Sequence, residues 1–420
     1  MDHVYAAFIV LLSLTSHLTR GDDVHDDYIW QTNKLPKIVN SHTFHLKSPD
    51  FQADPRLELN GTCGIECQKN FPNPTLSDLE DYLSYETVFE NGTRILTKVN
   101  IQGWRSRNET VPSTKHSLRR KRQVYGTDSR FSISDKHFMT NYPFSTAIKL
   151  SSGCSGILIS PKHALTAAHC LHDGKDYVKD TKKLRVGILK IRSKRGGKRR
   201  KGSKKSRGGE REDMDSQKDS KKQRRKSIQK RSAPGGRNGT ESQNEKSSSG
   251  SGKPSFQWTR VKSIQIPKGW FTDVTGKLAI DYDYAVLELK RQHKKKYMEL
   301  GISPKVEKMP GSRVHFSSFD DDRPGQLVYR FCSISEESGD LFYQYCDAEP
   351  GSSGSGIYIR LKEPNKKKWK RKIVGIYSGH QWVEVNGEQQ DYNVAVRITP
   401  LKYAQICLWI HGNSADCAQG

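Results

Sequence analysis

Between residues 141 and 170 the chain alternates as a half-buried sheet does: Thr146, Ile148 and Leu150 fall to one side, Ala147 and Lys149 to the other. A period of two predicts a strand. Glycines 153 and 156 flank Cys154, and Ile157-Leu158-Ile159 is a short apolar run that stops at Ser160-Pro161, so paired strands are expected to lead into His169. Alternation returns from Phe256 onward at Val261, Ile264 and Ile266, and again over Tyr284 to Leu289. Near the end the period becomes helical. Thr399 as N-cap, Pro400 at the first helical position and Leu401, Ala404 and Leu408 on one face predict a helix that Gly412 stops.

Two stretches carry no such pattern. Residues 193 to 255 are Lys, Arg, Ser and Gly, and they bury too little apolar surface to offset the chain entropy of ordering them, so a disordered insert is expected. Residues 21 to 122 are polar and without clear periodicity, and they read as a pro-region that ends at Arg119-Arg120-Lys121-Arg122, with processing expected between Arg122 and Gln123. Before it, the apolar run Val4 to Leu14 is too short to span a bilayer and reads as part of a signal peptide over residues 1–20, although the first residues carry Asp2 and His3 in place of Lys or Arg. No later run approaches the length of a membrane helix. A length sufficient for one domain over residues 123 to 420, interrupted by the insert, is what remains.

Composition sharpens this picture. Of 420 residues only 33% are hydrophobic, and the net charge is +25. The excess is local: residues 190 to 231 alone hold 20 Lys and Arg against 5 Asp and Glu. Such a segment would attract sulfated glycosaminoglycans or other polyanions. Eight cysteines and Asn-x-Ser/Thr acceptor sites at Asn60, Asn91, Asn108 and Asn238 suit an oxidising compartment, hence a secreted, extracellular protein, and the secretory route argues against nucleic acid as partner. Cys63 and Cys67 are close enough for a small local loop. Cys332 with Cys346 and Cys407 with Cys417 are natural pairs by spacing, but six cysteines allow fifteen connectivities.

Candidate chemistry centres on Pro350-Gly351-Ser352-Ser353-Gly354-Ser355-Gly356. Glycines at 351 and 354 let the backbone bend around Ser353 and aim N–H groups at one point, as an oxyanion hole requires. A serine nucleophile needs an imidazole to take its proton and a carboxylate to orient that imidazole. Leu165-Thr166-Ala167-Ala168-His169-Cys170 offers the first, and Asp281-Tyr282-Asp283-Tyr284-Ala285-Val286-Leu287 the second. Asp281 and Asp283, two residues apart, are rivals on one strand face.

These three segments, in the order His, Asp, Ser, resemble the motifs of the trypsin-like (S1) serine proteases of chymotrypsin fold. The resemblance implies an all-β class: a double β-barrel with a C-terminal helix packed on the second barrel. It favours Asp283 over Asp281 and implies a Cys154–Cys170 disulfide. It also implies that Ser353 attacks a carbonyl, His169 carries the proton, Asp283 orients His169, and the N–H groups of Gly351 and Ser353 hold the oxyanion. Asp347, six residues before Ser353, has the spacing of a carboxylate at the base of a pocket for Lys or Arg. Tyr377-Ser378-Gly379 has the character of an edge strand for substrate backbone.

One departure stands out. Trypsin-like enzymes form the oxyanion hole when a freed apolar N-terminus pairs with an aspartate just before the nucleophile; here that position is Ser352, and the freed residue would be Gln123. The expected function is therefore a secreted protease homologue with complete triad positions and restricted hydrolysis of protein or peptide substrates, without metal or other cofactor. The alternative is a non-catalytic polyanion-binding protein acting through the basic insert.

Overall fold

Strands dominate because the apolar positions recur every second residue while glycines and prolines break the runs into short lengths. The computed structural model describes residues 35–54, 73–104, 128–191, 254–271, 280–304, 313–362, 369–385, 388–414 and 416–417. The expected signal peptide, the processing site at Arg122 and Gln123, Cys63 and Cys67, the acceptor sites Asn60, Asn108 and Asn238, and nearly all of the basic insert lie outside the described residues. Residues up to 191 and from 254 onward belong to one unit.

In chain order the elements are β1 (Lys37–Leu46), α1 (Leu76–Leu83), β2 (Tyr85–Phe89), β3 (Arg94–Gln102), β4 (Phe131–Ile133), α2 (Lys136–Thr140), β5 (Ala147–Leu150), β6 (Ser155–Leu158), β7 (His163–Thr166), β8 (Arg185–Ile191) and β9 (Pro254–Pro267). They continue with β10 (Ala285–Leu289), β11 (Glu299–Leu300), β12 (Arg313–Ser318), β13 (Leu327–Glu337), β14 (Leu341–Gln344), β15 (Gly356–Lys362), β16 (Trp369–Val385), β17 (Glu388–Arg397) and α3 (Pro400–His411). Strands β9, β10, β7, β6, β5 and β8 pair in that order, and β8 returns to β9, which closes a six-stranded antiparallel barrel. Strands β16, β15, β12, β13, β14 and β17 close a second one, since β17 pairs back to β16. Closure leaves neither barrel with a free edge of its own. The fold is the chymotrypsin-like double barrel.

Each barrel is filled by the inward members of the alternation. Ile148, Leu150, Leu158, Leu165, Val186 and Leu287 are fully buried in the first, and Val314, Phe316, Phe342, Ile357 and Val374 in the second. Truncating a ring such as Phe316 to alanine would cost about 3–5 kcal/mol, because the close-packed surroundings relax only in part. Strand β9 begins at Pro254, so the first barrel resumes one residue before the predicted end of the insert. Ile191 and Pro254 are partners in the β8–β9 ladder, which puts both ends of the intervening segment at one place on the barrel.

Two features differ from expectation. First, the segment read as featureless supplies β1, β2, β3 and α1. Strand β2 pairs with β9, β3 with β2 and β1 with β3, extending the sheet of the first barrel by three strands. Second, α3 has the predicted caps, with Thr399 Oγ1 accepting from Lys402 N and Gly412 left-handed at φ +76°, but Leu401 to Trp409 are all buried rather than one face alone. Trp409 meets Tyr85 of β2 and Tyr284 at ring separations of 5.3 and 5.9 Å. Gln405 donates to the Leu83 carbonyl and accepts from the Tyr284 hydroxyl. The helix is thus packed on the first barrel and its added strands, and the reading that set it on the second barrel is corrected. Its link to the second barrel is polar, with Lys402 Nζ 2.6 Å from Asp340. Among the described residues no helix is long and apolar enough to cross a membrane.

Candidate active site

The imidazole is fixed by the end of a strand. Strand β7 runs out at Thr166, and the chain turns through a single 3₁₀ turn over Ala168–Cys170 that carries His169. Cys170 is bonded to Cys154, across the hairpin from it, with Cα atoms 6.1 Å apart, so the turn is pinned at both ends. His169 is buried, and so is Asp283, which has no exposed surface. Asp283 Oδ1 accepts the His169 backbone N–H at 2.8 Å, and Oδ2 meets Nδ1 at 2.8 Å. With Nδ1–H given to the carboxylate, the lone pair of the neutral ring is on Nε2, the nitrogen a general base needs. Cys154 Sγ, His169 and Cys170 Sγ also form a tight donor group. Both sulfurs are spent in the disulfide, so this is no thiolate metal centre.

Asp281 goes elsewhere. It sits in the turn Ile280–Tyr282 and not on the β10 face assumed from sequence. Burial, and then the charge of Asp340, push its carboxyl up to about 7.

Ser353 arrives from the second barrel. The Ser155 N–H donates to the Ser353 carbonyl at 2.9 Å, and Gly354 N–H donates to the Tyr377 carbonyl at 2.8 Å. Gly354 is left-handed (φ +83°), and a β-carbon there would fall on Thr166 Oγ1 and within 2.5 Å of the Ser155 carbonyl oxygen. Only glycine lets the serine turn close against the strand ends that lead to His169. The Ser353 side chain is partly exposed and hydrogen-bonds to none of the described residues. Such nucleophile–base bonds commonly shorten only when substrate binds.

The N–H groups of Gly351 and Ser353 likewise have no acceptor among the described residues. What holds them is a set of hydroxyls. Ser352, at the position of the missing aspartate, donates both its N–H (3.0 Å) and its Oγ–H (2.6 Å) to the Glu349 carbonyl. Ser355 Oγ donates to the Ser352 carbonyl at 2.7 Å. Ser155 Oγ donates to the Gly351 carbonyl at 2.7 Å and accepts from Phe319 N–H at 2.9 Å, tying the turn to both barrels. Asp321 N–H holds the Pro350 carbonyl at 2.8 Å. The turn is set by neutral hydrogen bonds where the enzymes it resembles use an ion pair.

Two further placements follow. Ser378 on β16, noted in the sequence only as part of a substrate-pairing edge, donates its hydroxyl to Asp283 Oδ2 and so joins the carboxylate to the second barrel. No local signal in the sequence could have found it. Asp347, the suggested pocket carboxylate, accepts from Ser129 N–H at 2.7 Å and Ser129 Oγ at 2.6 Å, so the chain just past the expected processing site occupies it. Next to Ser129, Arg130 Nη1 lies 2.9 Å from the buried Asp320 and Nη2 2.8 Å from Asp322, which fastens this segment to the second barrel. Asn91 is exposed in the turn between β2 and β3, where its Oδ1 accepts from Thr93 N–H at 3.0 Å. Cys332–Cys346 and Cys407–Cys417 are both bonded.

A trypsin family model matches residues 134–268. Inactive serine protease 35 of Homo sapiens is 64% identical over 408 residues, covering 96% of each chain. The chain belongs to the trypsin-like (S1) serine protease family. The mouse inactive serine protease 35 is 59% identical with 98% of both chains covered, and bovine serine protease 23 is 49% identical with 98% of both covered. Among solved structures, one of a Glu endopeptidase in complex with MPD aligns with a TM-score of 0.41 and 16% identity over 68% of this chain and 97% of that one. Membership in the trypsin-like family makes this a trypsin-fold serine protease homologue.

Proposed function

We propose that the chain is a secreted serine endopeptidase homologue that keeps the machinery for acyl transfer at Ser353 and acts on a restricted range of peptides. The observation carrying this is that the N–H groups of Gly351 and Ser353 have no acceptor among the described residues, together with the buried His169–Asp283 pair. Free N–H donors on the turn that carries a nucleophile suit a developing oxyanion. In such a reaction Ser353 Oγ would add to the carbonyl as its proton passes to His169 Nε2, and the same nitrogen would protonate the leaving amine. Asp283, held by Ser378, would support the imidazolium.

Restriction is argued from Asp347. Its carboxylate is engaged by Ser129, which removes a free counter-charge for a Lys or Arg side chain of the substrate. The relatives named inactive supply a reason to expect low turnover. The test is labelling by a fluorophosphonate probe. Labelling of the folded chain that Ser353→Ala and His169→Ala both abolish is expected; a folded chain that stays unlabelled, before and after cleavage at Arg122, refutes the reading.

A second reading rests on the charge of residues 190 to 231. A segment carrying most of the chain's net +25 would bind polyanions with an affinity that falls as salt rises. Deleting residues 193 to 253, whose flanks pair in β8 and β9, is expected to lower sharply the salt needed for elution from heparin. Unchanged elution removes it.

A further inference from the structure

The outer face of the second barrel carries chemistry that neither reading uses. Phe131 of β4 lies parallel to Phe331 of β13, with ring centroids 5.9 Å apart and planes 3° from coincidence. Tyr329 stands 6.0 Å from Phe331. His315 of β12 is stacked on Tyr329 at 6.1 Å and on Tyr358 of β15 at 5.5 Å. Five rings from four strands thus form one continuous run. Phe131 is 54% exposed, Phe331 37% and the nearby Trp369 of β16 53%; Tyr329 and His315 are half-buried and Tyr358, at 4%, forms the buried end of the run, so Phe131, Phe331 and Trp369 are the rings open to a ligand. Exposed rings gathered into one patch mark a surface that meets something besides water.

Three guanidinium groups lie on this surface. Arg313 sits over Phe331 at 5.1 Å, Arg360 over Trp369 at 5.3 Å and Arg371 over Tyr142 at 5.7 Å. Among the described residues none of the three has a carboxylate within ion-pair range. The acids of this barrel are spent elsewhere: Asp320 and Asp322 on Arg130, Glu299 on Lys372. Moreover, Arg360 and Arg371 are direct partners in the β15–β16 ladder. Like charges opposite one another weaken a sheet, and among the described residues no acid is within ion-pair range of either. Burial, helped by Arg360, Arg371 and Arg313, holds His315 down to about 4, so at neutral pH its ring contributes a flat face and no charge.

We propose that this face binds a sulfated polysaccharide, whose sulfate groups are taken by Arg313, Arg360 and Arg371 while sugar rings lie on the aromatic run. A guanidinium with one face laid on a ring keeps its edge donors for a bidentate anion and loses little freedom on binding. Flat sugar C–H faces suit exposed aromatic rings. The charge alone would also suit nucleic acid, but three disulfides among the described residues put the folded chain in an oxidising compartment, where the abundant linear polyanions are sulfated glycans. The site depends on neither Ser353 nor residues 190 to 231.

The test uses the full chain and a heparin-derived octasaccharide, titrated at several salt concentrations. The triple variant Arg313→Ser/Arg360→Ser/Arg371→Ser is expected to bind about tenfold more weakly, as loss of three exposed ion pairs implies. The corresponding triple lysine variant keeps the charge without the planar fork and should recover only part of that loss. A charge-matched control, Lys175→Ser/Lys183→Ser/Lys294→Ser, should stay within about twofold of the unmodified chain. Hydroxyl-radical footprinting of the unmodified chain gives a readout that needs no variant to fold: the octasaccharide should protect Phe131, Phe331 and Trp369. The proposal is overturned by a serine variant that binds as tightly as the original, by a control that loses as much, or by rings left unprotected. Full recovery with lysine would overturn the fork assignment, and tighter binding of an equally charged oligonucleotide through the same arginines would overturn the choice of polysaccharide.

Discussion

Ser155→Ala tests whether the turn carrying Ser353 is set by neutral hydrogen bonds. Ser155 has no exposed surface; its hydroxyl donates to the Gly351 carbonyl at 2.7 Å and accepts from Phe319 N–H at 2.9 Å. Alanine removes both bonds and leaves two buried main-chain groups unpaired. Each such group costs about 1–3 kcal/mol, with the carbonyl at the lower end because it has a second lone pair. The sum is about 2–4 kcal/mol. For a domain of this size each kcal/mol lowers the melting temperature by about 2–4 °C, so a fall on the order of 4–16 °C is expected. Urea unfolding should show a lower midpoint with an unchanged slope, since the exposed area on unfolding is the same. Under the role proposed for the Gly351 N–H as an oxyanion donor, labelling by the fluorophosphonate probe should slow as well, at temperatures where the variant is fully folded. A variant within about 0.5 kcal/mol of the original, labelled at the same rate, would falsify the assignment of the turn's geometry to Ser155.

Two other substitutions probe the same framework. Asp283→Asn keeps the shape of the buried group but offers His169 Nδ1 an amide, so the ring's proton moves toward Nε2; probe labelling should fall by a factor on the order of 10⁴, and a loss under tenfold would show that Asp283 does not orient the base. Glu288 titrates on the second prediction: burial raises its carboxyl, but hydrogen bonds from Lys162, Lys262 and Ser263 outweigh this and hold it at about 2. A depressed folded value means that its stabilisation is complete above the unfolded value of about 4.3 and is lost as pH falls toward 2. Glu288→Gln should therefore be less stable than the original at pH 7, with the gap closing between about pH 4.5 and 2; a gap independent of pH sinks the linkage.

Much of the site was legible because its signals are local. His169 follows an apolar strand and precedes a cysteine, Asp283 lies two residues before β10, and Ser353 lies between two glycines that the structure shows to be left-handed at φ +94° and +83°. Gly351 and Gly354 announce a tight turn whatever surrounds it. The caps of α3 were legible for the same reason, since Thr399 and Gly412 act within one helical turn.

The rest required the folded chain. Strand β1 gave no clear period because eight of its ten residues are exposed, so both of its faces are largely solvated and the pairing with β3 rests on backbone hydrogen bonds that any side chain permits, whereas β3 does alternate, with Thr97, Val99 and Ile101 buried and Lys98, Asn100 and Gln102 exposed. Ser378 reaches Asp283 from 95 residues away, Ser155 reaches Gly351 from 196, and Ser129 reaches Asp347 from 218. The sequence by itself marked His169, Asp283 and Ser353 as candidates for acyl-transfer chemistry and placed strands around the turns that hold them. Only the tertiary structure decided that two barrels meet there, that hydroxyls replace the ion pair behind the oxyanion turn, and that Asp347 is already taken, because hydrogen bonds between distant segments depend on three-dimensional distance, to which local sequence patterns are blind.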